Sequence, residues 1–290
     1  MYKLLVLDID GTLINNHMQV SKATAMAIKA AQRQDVFVTL ATGRSFYSAL
    51  NYARRLNIDL PLICANGGIV RKPSGEIISE ETLPPALAAD LLAKMSKARL
   101  IAQAYHRDGI AFYGDKLPLK RWVSVVAKRF SLASFFYAYQ DFKRSRLLSL
   151  PNLEELVRAG EIEPHKLFAV GDVDALEDMS RRCQQENLSV EHYPGHHGGM
   201  YLEIMAAGSS KGQALKKLAH HLNVDMQDVL AIGDNLNDTE MIASAGLGVA
   251  MGNGHQGLKD VASHVTLSNE EDGVAAVIRE FILCPGRSAS

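Results

Sequence analysis

Apolar runs and amphipathic stretches alternate along the first 65 residues of the chain. Residues 3–7 form a short apolar run that ends at an Asp/Gly turn, which predicts a strand buried on both faces of a parallel sheet. Ser21 is the predicted N-cap of a helix over 22–33. The pattern then predicts a strand over 36–40, a helix over 46–56 and a strand over 60–65. Such alternation is typical of a doubly wound α/β sheet.

The pattern changes in the middle of the chain. Residues 69–71 and 76–78 flank Lys72-Pro73-Ser74-Gly75 and are predicted to form a hairpin. From about residue 84 to 203, helical patterns mix with short strand-like runs, which indicates a separate α+β module. Helices are predicted over 86–97, 119–130 and 175–186, and strands over 100–105, 110–113, 167–170 and 201–204.

Regular alternation returns after about residue 207. Helices are predicted over 211–222, 239–245, 256–262 and 271–281, and strands over 229–232, 247–250 and 264–267. The two ends of the chain are therefore predicted to form one α/β domain, residues 1–83 and 205–290. The middle, residues 84–204, is predicted to be an insertion into it.

Composition narrows the class of protein. The chain has 290 residues, 47% of them hydrophobic and 22% charged, so a sizeable core is expected. A net charge of −1 supplies no positive field for nucleic acid or an anionic membrane, and neither is an expected partner. Three widely spaced cysteines argue against a disulfide framework. Because no apolar stretch suits a signal peptide or a membrane span, we expect a soluble, cytoplasmic protein.

Two carboxylates follow the first predicted strand, in Asp8-Ile9-Asp10-Gly11-Thr12. Ligands of open α/β sheets bind beyond the carboxyl ends of the strands. In an extended segment the side chains at i and i+2 share a face, so Asp8 and Asp10 are expected to point at one spot. An Asx turn that ends the strand is the structural alternative. An EF-hand loop is excluded, because its glycine is the sixth residue and Gly11 is the fourth here.

A second acidic cluster, Gly233-Asp234-Asn235-Leu236-Asn237-Asp238, also follows a predicted buried strand. The fold could bring the two clusters together although more than two hundred positions separate them. Converging carboxylates would repel and raise one another's pKa. A hard divalent cation removes that conflict, and a set of oxygen ligands suits Mg2+.

Two further strand-to-helix turns could bind phosphate. Thr42-Gly43-Arg44 ends a strand and opens a helix, so a hydroxyl and free backbone amides face the same crevice. Lys211 lies in Ser209-Ser210-Lys211-Gly212, where it could balance an anion. Each signal is weak alone, because Thr-Gly pairs and exposed lysines are common. The two signals support a phosphate site together, because both lie at strand-to-helix turns of the same predicted domain.

Together these motifs resemble the haloacid dehalogenase superfamily, and within it the Cof-type (Hydrolase-3) phosphatases. The motifs carrying the resemblance are, in order, Asp8-Ile9-Asp10-Gly11-Thr12, Thr42-Gly43-Arg44, Lys211, Gly233 to Asp238, Ala250-Met251-Gly252-Asn253 and Asp272-Gly273-Val274. The resemblance covers nearly the whole chain. It implies a Rossmann-like core with a parallel sheet and an inserted α+β cap of the C2 type.

The resemblance also implies roles for individual residues. Asp8 would be the nucleophile that forms an aspartyl-phosphate, and Asp10 the acid and base for the leaving alcohol and the water. Asp8, the backbone carbonyl of Asp10, and Asp234 would hold Mg2+, supported by Asp238. The residues expected to bind the phosphoryl oxygens are Ile9 and Gly43 through their amides, Thr42, Lys211 and Asn237. Phosphoryl transfer needs such positioning and charge neutralisation above all.

Other signals are weaker. Gly252-Asn253-Gly254-His255-Gln256-Gly257 is a formal dinucleotide fingerprint, but too little sequence follows it for a dinucleotide fold. His192, His196 and His197 could bind a metal, although a cap loop facing the substrate is the favoured interpretation. The aromatic residues Phe135, Phe136, Tyr137 and Tyr139 are interpreted as core or cap surface, with substrate stacking as the alternative.

The sequence therefore predicts a Mg2+-dependent phosphatase for a small phosphorylated metabolite: a sugar phosphate, a nucleotide or a vitamin-precursor phosphate. The cap would close over the core and exclude water. A signalling receiver domain is one alternative, but it needs neither the insertion nor an acid at position 10. A phosphomutase on the same fold is the other, and isomer formation without release of inorganic phosphate would identify it.

Overall fold

A computed structural model describes residues 2–113, 145–194 and 200–284 of the chain. The helix predicted over 119–130 lies outside the described residues, as do the side chains Phe135, Phe136, Tyr137, Tyr139, His196 and His197. The strands are β1 (Leu4–Leu7), β2 (Phe37–Leu40), β3 (Leu62–Cys64), β4 (Ile69–Arg71), β5 (Ile77–Glu80), β6 (Ile101–His106), β7 (Gly109–Phe112), β8 (Leu147–Ser149), β9 (Lys166–Gly171), β10 (Ser189–Pro194), β11 (Met200–Met205), β12 (Val229–Gly233), β13 (Leu247–Ala250) and β14 (His264–Val265). The helices are α1 (Lys22–Gln32), α2 (Phe46–Arg55), α3 (Pro85–Lys97), α4 (Leu153–Arg158), α5 (Val173–Gln185), α6 (Lys211–His221), α7 (Thr239–Ser244), α8 (Gln256–Lys259) and α9 (Gly273–Ile278).

The main sheet has five parallel strands in the order β14-β13-β12-β1-β2. Side chains of β1 alternate between its two faces: Leu5 and Leu7 join one apolar cluster, and Leu4 and Val6 join another. A strand buried on both faces needs apolar residues at every position, which explains the continuous run. The predicted α/β fold with a parallel sheet is confirmed.

Ser21 begins α1 as predicted, since its side chain accepts a hydrogen bond from the Thr24 amide at 3.0 Å. The predicted hairpin is also observed as β4 and β5. The strand predicted over 60–65 differs from expectation. It shortens to β3 and pairs antiparallel with β4, and only the single bridge Ala41–Ile63 links it in parallel to the end of β2. Together β3, β4 and β5 form a separate three-stranded sheet in that order.

The middle of the chain forms a second sheet in the order β10-β11-β9-β6-β7-β8. All of its pairs are antiparallel except the parallel pair β7–β8. One apolar cluster lines this region and includes only buried residues between Leu83 and Ile204. We keep 84–204 as the proposed limits of an inserted cap. The strands β8 and β10 and the helix α4 were not predicted from the sequence.

Candidate active site

Asp8 lies at the carboxyl end of β1, beside β12. Its amide donates to the Ile232 carbonyl at 3.0 Å, which continues the strand ladder by one residue. Gly11 then adopts a φ of +75°, a conformation that glycine accepts without strain. A Cβ at Gly11 would lie 2.2 Å from Oδ2 of Asp234. Glycine therefore allows the first acidic loop to approach the second.

The loop after β12 is folded by Asp238. Its Oδ2 accepts hydrogen bonds from the amide of Asp234 at 3.0 Å and from the next amide at 3.1 Å. Oδ1 of Asp234 accepts from the Thr12 hydroxyl at 3.0 Å, which ties the two loops together. One carboxylate oxygen each from Asp8, Asp234 and Asp238 lie within 4.8 Å of one another. Residues more than 220 positions apart along the chain thus meet at one point.

Lys211 is the first residue of α6, and its side chain is 1% exposed. Nζ donates to Oδ1 of Asp8 and to Oδ1 of Asp238, each at 2.7 Å. Burial lowers the pKa of the ammonium, but these two carboxylates outweigh it and hold the pKa above its usual range. Lys211 is therefore a charged bridge between the two acidic loops.

The three carboxylates of this group carry more negative charge than Lys211 balances. Burial raises the pKa of Asp8 well above its usual range against the effect of Lys211, and Asp238 and Asp234 raise it further. Burial, followed by the charge of Asp238, raises the pKa of Asp234 to about 7. A divalent cation would relieve this repulsion, and a set of carboxylate oxygens has the chemistry that Mg2+ prefers.

The 42–44 loop, Thr42-Gly43-Arg44, follows the end of β2 next to Asp8. The Ala41 amide donates to the Leu7 carbonyl at 2.9 Å, which aligns the ends of β2 and β1. The Thr42 hydroxyl accepts from the Arg44 amide at 3.2 Å. Within the described part of the chain, the amides of Ile9 and Gly43 have no hydrogen-bond acceptor. These free amides are donors that an anion could use.

Asn237 lies on the same side of the site. Its Nδ2 donates to Oδ1 of Asn66 at 3.2 Å, and its own Oδ1 is buried without a partner among the described residues. Asn66 is fully buried, with a φ of +54° in the turn after β3. The sequence analysis did not single out Asn66. The rule applied to Asp8, a polar residue directly after a buried strand, could have found it.

The Asp10 carboxylate is held by an arginine of the 42–44 loop. It stands outside the group of three carboxylates and is bonded to Arg44, with its side chain 57% exposed. The expectation from the i, i+2 spacing, that Asp8 and Asp10 point at one spot, stays a prediction. Although more than half of the Asp10 side chain is exposed, the protein around it partly desolvates the carboxylate and disfavours its ionisation. The charge and hydrogen bonds of Arg44 outweigh this effect and hold the pKa of Asp10 below its usual range.

A buried polar cluster from the second sheet reaches the 42–44 loop. Lys166 on β9 donates to the Gly43 carbonyl at 2.7 Å and to Oε1 of Glu203 at 2.6 Å. Nδ2 of Asn66 donates to Glu203 at 2.6 Å and to Glu191 at 2.9 Å. Glu191 and Glu203 stand directly opposite each other on β10 and β11. Their sequence positions carried no signal, because Lys166 merely begins an apolar run.

Three other residues that the sequence analysis named make hydrogen bonds in the structure. Nδ2 of Asn253 donates to the Gly11 carbonyl at 2.8 Å, so the loop after β13 supports the first acidic loop. His255 accepts from the Gly257 amide through Nδ1 at 3.1 Å and caps α8, a helix of four residues. Nε2 of His192 lies 2.6 Å from the hydroxyl of Ser180 on α5.

The fold and the site together define a class of hydrolase. The sequence model of the haloacid dehalogenase-like hydrolases matches residues 5–278, and the chain belongs to this family. The family resemblance inferred from the motifs is thereby confirmed, as is the predicted enzyme class, a phosphatase.

Three known proteins illustrate the similarity. Phosphatase YwpJ of Bacillus subtilis is 30% identical over 97% of this chain and 100% of its own length. The 5-amino-6-(5-phospho-D-ribitylamino)uracil phosphatase YwtE of the same organism is 29% identical over 97% of this chain and 98% of its own. A solved haloacid dehalogenase-like hydrolase from B. subtilis superposes with a TM-score of 0.83, with 29% identity, over 97% of this chain and 100% of that one.

Among the residues that the structure describes, no helix combines the length and the apolar character that crossing a membrane requires.

Proposed function

We propose that the protein is a Mg2+-dependent phosphatase that hydrolyses small phosphorylated metabolites through an aspartyl-phosphate on Asp8. The observation that carries the proposal is the meeting of Asp8, Asp234 and Asp238 with Lys211 at the ends of two neighbouring strands. The free Ile9 and Gly43 amides and the nearby Thr42 supply donors for a phosphate group. We also propose that the protein is located in the cytoplasm.

The residues at this site fit a hard cation. Asp8 and Asp234 would hold Mg2+ through carboxylate oxygens, and the backbone carbonyl of Asp10 is the further proposed ligand. Asp238 would support them, since both of its oxygens already accept hydrogen bonds. When bound, the cation neutralises charge on the phosphate and on the carboxylates.

In the proposed reaction, the Asp8 carboxylate attacks phosphorus as the bond from phosphorus to the ester oxygen breaks. Oδ1 of Asp8 accepts from Lys211, so we assign the attack to Oδ2. Asp10 gives a proton to the departing oxygen and later takes one from the water that attacks the aspartyl-phosphate. The bond from phosphorus to Asp8 then breaks, inorganic phosphate leaves, and Asp8 is regenerated.

The acid role of Asp10 requires its contact with Arg44 to open. A carboxylate whose two oxygens both accept from a guanidinium carries no proton to donate. The Arg44 guanidinium, which lowers the pKa of Asp10, is a cation that an incoming phosphate ester can bind in place of Asp10. We therefore place Arg44 beside the leaving-group side of the reaction.

The test is release of inorganic phosphate from p-nitrophenyl phosphate and from a panel of phosphorylated metabolites, with Mg2+ and with excess chelator. The panel should include sugar phosphates, nucleotides and 5-amino-6-(5-phospho-D-ribitylamino)uracil, on which a named relative acts. We expect sustained turnover that stops with the chelator. One stoichiometric burst would indicate a receiver domain, and a hexose-phosphate isomer without inorganic phosphate would indicate a mutase.

A further inference from the structure

Lys166 is a buried cation that connects the second sheet to the 42–44 loop. Its side chain is 1% exposed, and Nζ donates to Gly43 in the loop and to Glu203 on β11. The ammonium also lies 4.4 Å from the centroid of the Tyr105 ring. The carbonyl, the carboxylate and the aromatic face all stabilise a positive charge. The ammonium that donates to the Gly43 carbonyl is therefore surrounded by three groups that stabilise its charge.

The 42–44 loop has three successive carbonyl groups that are held in different ways. The carbonyls of Thr42 and Arg44 accept from backbone amides in the turn after β3, at 3.1 and 2.9 Å. In the described part of the chain, the Gly43 carbonyl accepts from Lys166 alone. The middle peptide of the loop thus depends on a side chain from the second sheet.

Gly43 needs this support because of what surrounds it. A Cβ at this position would lie 2.8 Å from Oδ1 of Asn66, so the packing favours glycine. Glycine, however, leaves the adjoining peptide groups freer to rotate than any other residue would. A hydrogen bond from a buried ammonium restricts that rotation. The amide in this Gly43–Arg44 peptide plane belongs to Arg44, and it donates to the oxygen of the Thr42 hydroxyl at 3.2 Å, which orients that proposed phosphate donor.

The charge of Lys166 also argues for a functional role. Burial lowers the pKa of the ammonium, but Glu203 outweighs this and keeps it charged. Replacing a buried ion pair with apolar residues of similar size is often neutral or stabilising. Fold stability alone therefore gives little reason for Lys166 and Glu203 to meet inside the protein.

We propose that Lys166 is a positioning residue for phosphate binding, because its ammonium fixes the Gly43–Arg44 peptide, whose amide in turn holds the Thr42 hydroxyl towards the transferring phosphoryl group. This inference rests on the proposed phosphatase function. By this inference, the inserted segment contributes directly to the phosphate site as well as covering it.

The test uses inorganic phosphate, a product without a leaving group, as the probe. Lys166→Met keeps most of the side-chain volume and removes the ammonium. We expect the inhibition constant of inorganic phosphate to rise about ten- to hundredfold, and the KM of every phosphate ester to rise by a similar factor. Lys97→Met, at the exposed end of α3, is the matched control and should change neither constant.

A second variant separates positioning from folding. Lys166→Met combined with Glu203→Met replaces the ion pair with two apolar side chains, and thermal unfolding should show a folded protein. The weakened phosphate binding should persist. An unchanged inhibition constant in this folded variant would overturn the inference. A KM change that varies with the leaving group, at unchanged phosphate inhibition, would overturn it too, because Lys166 would then contact the leaving group.

The wild-type protein gives an independent measurement. With threonine labelled with 13C at its methyl group, the Thr42 resonance should shift when inorganic phosphate is added, and an unmoved resonance would overturn the inference. Failure of the proposed function is a different result: wild-type protein that hydrolyses no ester of the panel. If the wild type hydrolyses esters but the Lys166 variants bind phosphate as well as it does, the role of Lys166 is refuted and the proposed function stands.

Discussion

Arg44 binds both carboxylate oxygens of Asp10: Nε donates to Oδ2 at 2.6 Å, and Nη2 donates to Oδ1 at 2.5 Å. This fork geometry gives the guanidinium a strong and directional contact with an ionised carboxylate. A proton donor must instead be neutral before it acts. The structure therefore describes Asp10 in its proton-free form, and Arg44 controls how readily that form gains a proton.

Arg44→Gln removes the guanidinium, and we expect the pKa of Asp10 to rise. Only the neutral acid can protonate a leaving alcohol, so activity on an alkyl phosphate falls as the pH rises through that pKa. A higher pKa moves this fall to higher pH. The pH profile of kcat/KM measures the shift, with Arg55→Gln on the exposed end of α2 as the control. Identical profiles for Arg44→Gln and the wild type would contradict the prediction.

Asp10→Asn should reduce kcat for alkyl phosphates by about 10²- to 10⁴-fold, the usual range for lost acid–base assistance. p-Nitrophenolate needs little protonation as it leaves, so the loss on p-nitrophenyl phosphate should be smaller. Steady-state kinetics on both esters provide the comparison. Equal losses on both would rule out Asp10 as the proton donor.

Asp8→Asn should abolish turnover, because it removes the attacking oxygen, while leaving the fold intact. Burial and the neighbouring carboxylates raise the pKa of Asp8, so its charge destabilises the metal-free folded state at neutral pH. A neutral asparagine should therefore leave the melting temperature unchanged or higher. Phosphate release and thermal unfolding without metal test both parts. Retained turnover, or a large loss of stability, would count against this account.

Mg2+ binding should depend on pH through Asp234, whose pKa is raised to about 7. Mg2+ binds the ionised carboxylate of Asp234. At a pH below this pKa, the carboxyl group must therefore lose its proton before the cation binds. For one such group, we expect affinity to fall about tenfold between pH 8 and pH 6. Calorimetric titration at several pH values measures it. Asp234→Asn should bind poorly at every pH, whereas the exposed Asp260→Asn should behave as wild type.

Glu80 should stabilise the fold in a pH-dependent way. A hydrogen bond from His165 holds the pKa of Glu80 below its usual range against the effect of burial, and Arg107 lowers it further. A depressed pKa adds stability above the unfolded value of about 4.3, and this is lost as the pH falls through the folded value. Glu80→Gln should cost about 1–3 kcal/mol of unfolding free energy at pH 7.

The difference in unfolding free energy between Glu80→Gln and the wild type should narrow as the pH falls through the lowered pKa of Glu80, since both side chains are neutral below it. Chemical denaturation at a series of pH values measures this. The control is Glu76→Gln, an exposed partner of Lys72, which should cost under about 0.5 kcal/mol. A pH-independent difference would show that Glu80 acts through packing and not through its charge.

The sequence alone was sufficient to predict the parts of the site that lie directly after the ends of strands. Asp8 and Asp234 come after short, continuous apolar runs, and the carboxyl ends of parallel strands share one edge of a sheet. Their meeting could therefore be expected before any coordinates. The contact of Asp10 with Arg44 could not, because the two residues are 34 positions apart in the sequence.

The contribution of the second sheet to the site could not be predicted from the sequence either. Lys166 and Glu203 are brought together by antiparallel pairing of β9 with β11, in a region where several elements were missed. A lysine before an apolar run carries no sign that it will be buried. The strand over 60–65 was assigned to the wrong sheet for a related reason, because periodicity shows that a strand exists but not which edge it joins.

The placement of β1 between β2 and β12 has a consequence for biosynthesis. Leu4 pairs with Val229, so one edge of the strand that leads into the nucleophile waits for 225 further residues to be made. At about 5–20 residues per second, a ribosome needs roughly 11–45 s for that stretch. During this interval the nascent chain carries an unsatisfied, apolar edge. Chaperone demand and errors in co-translational folding should therefore concentrate in the time before β12 emerges.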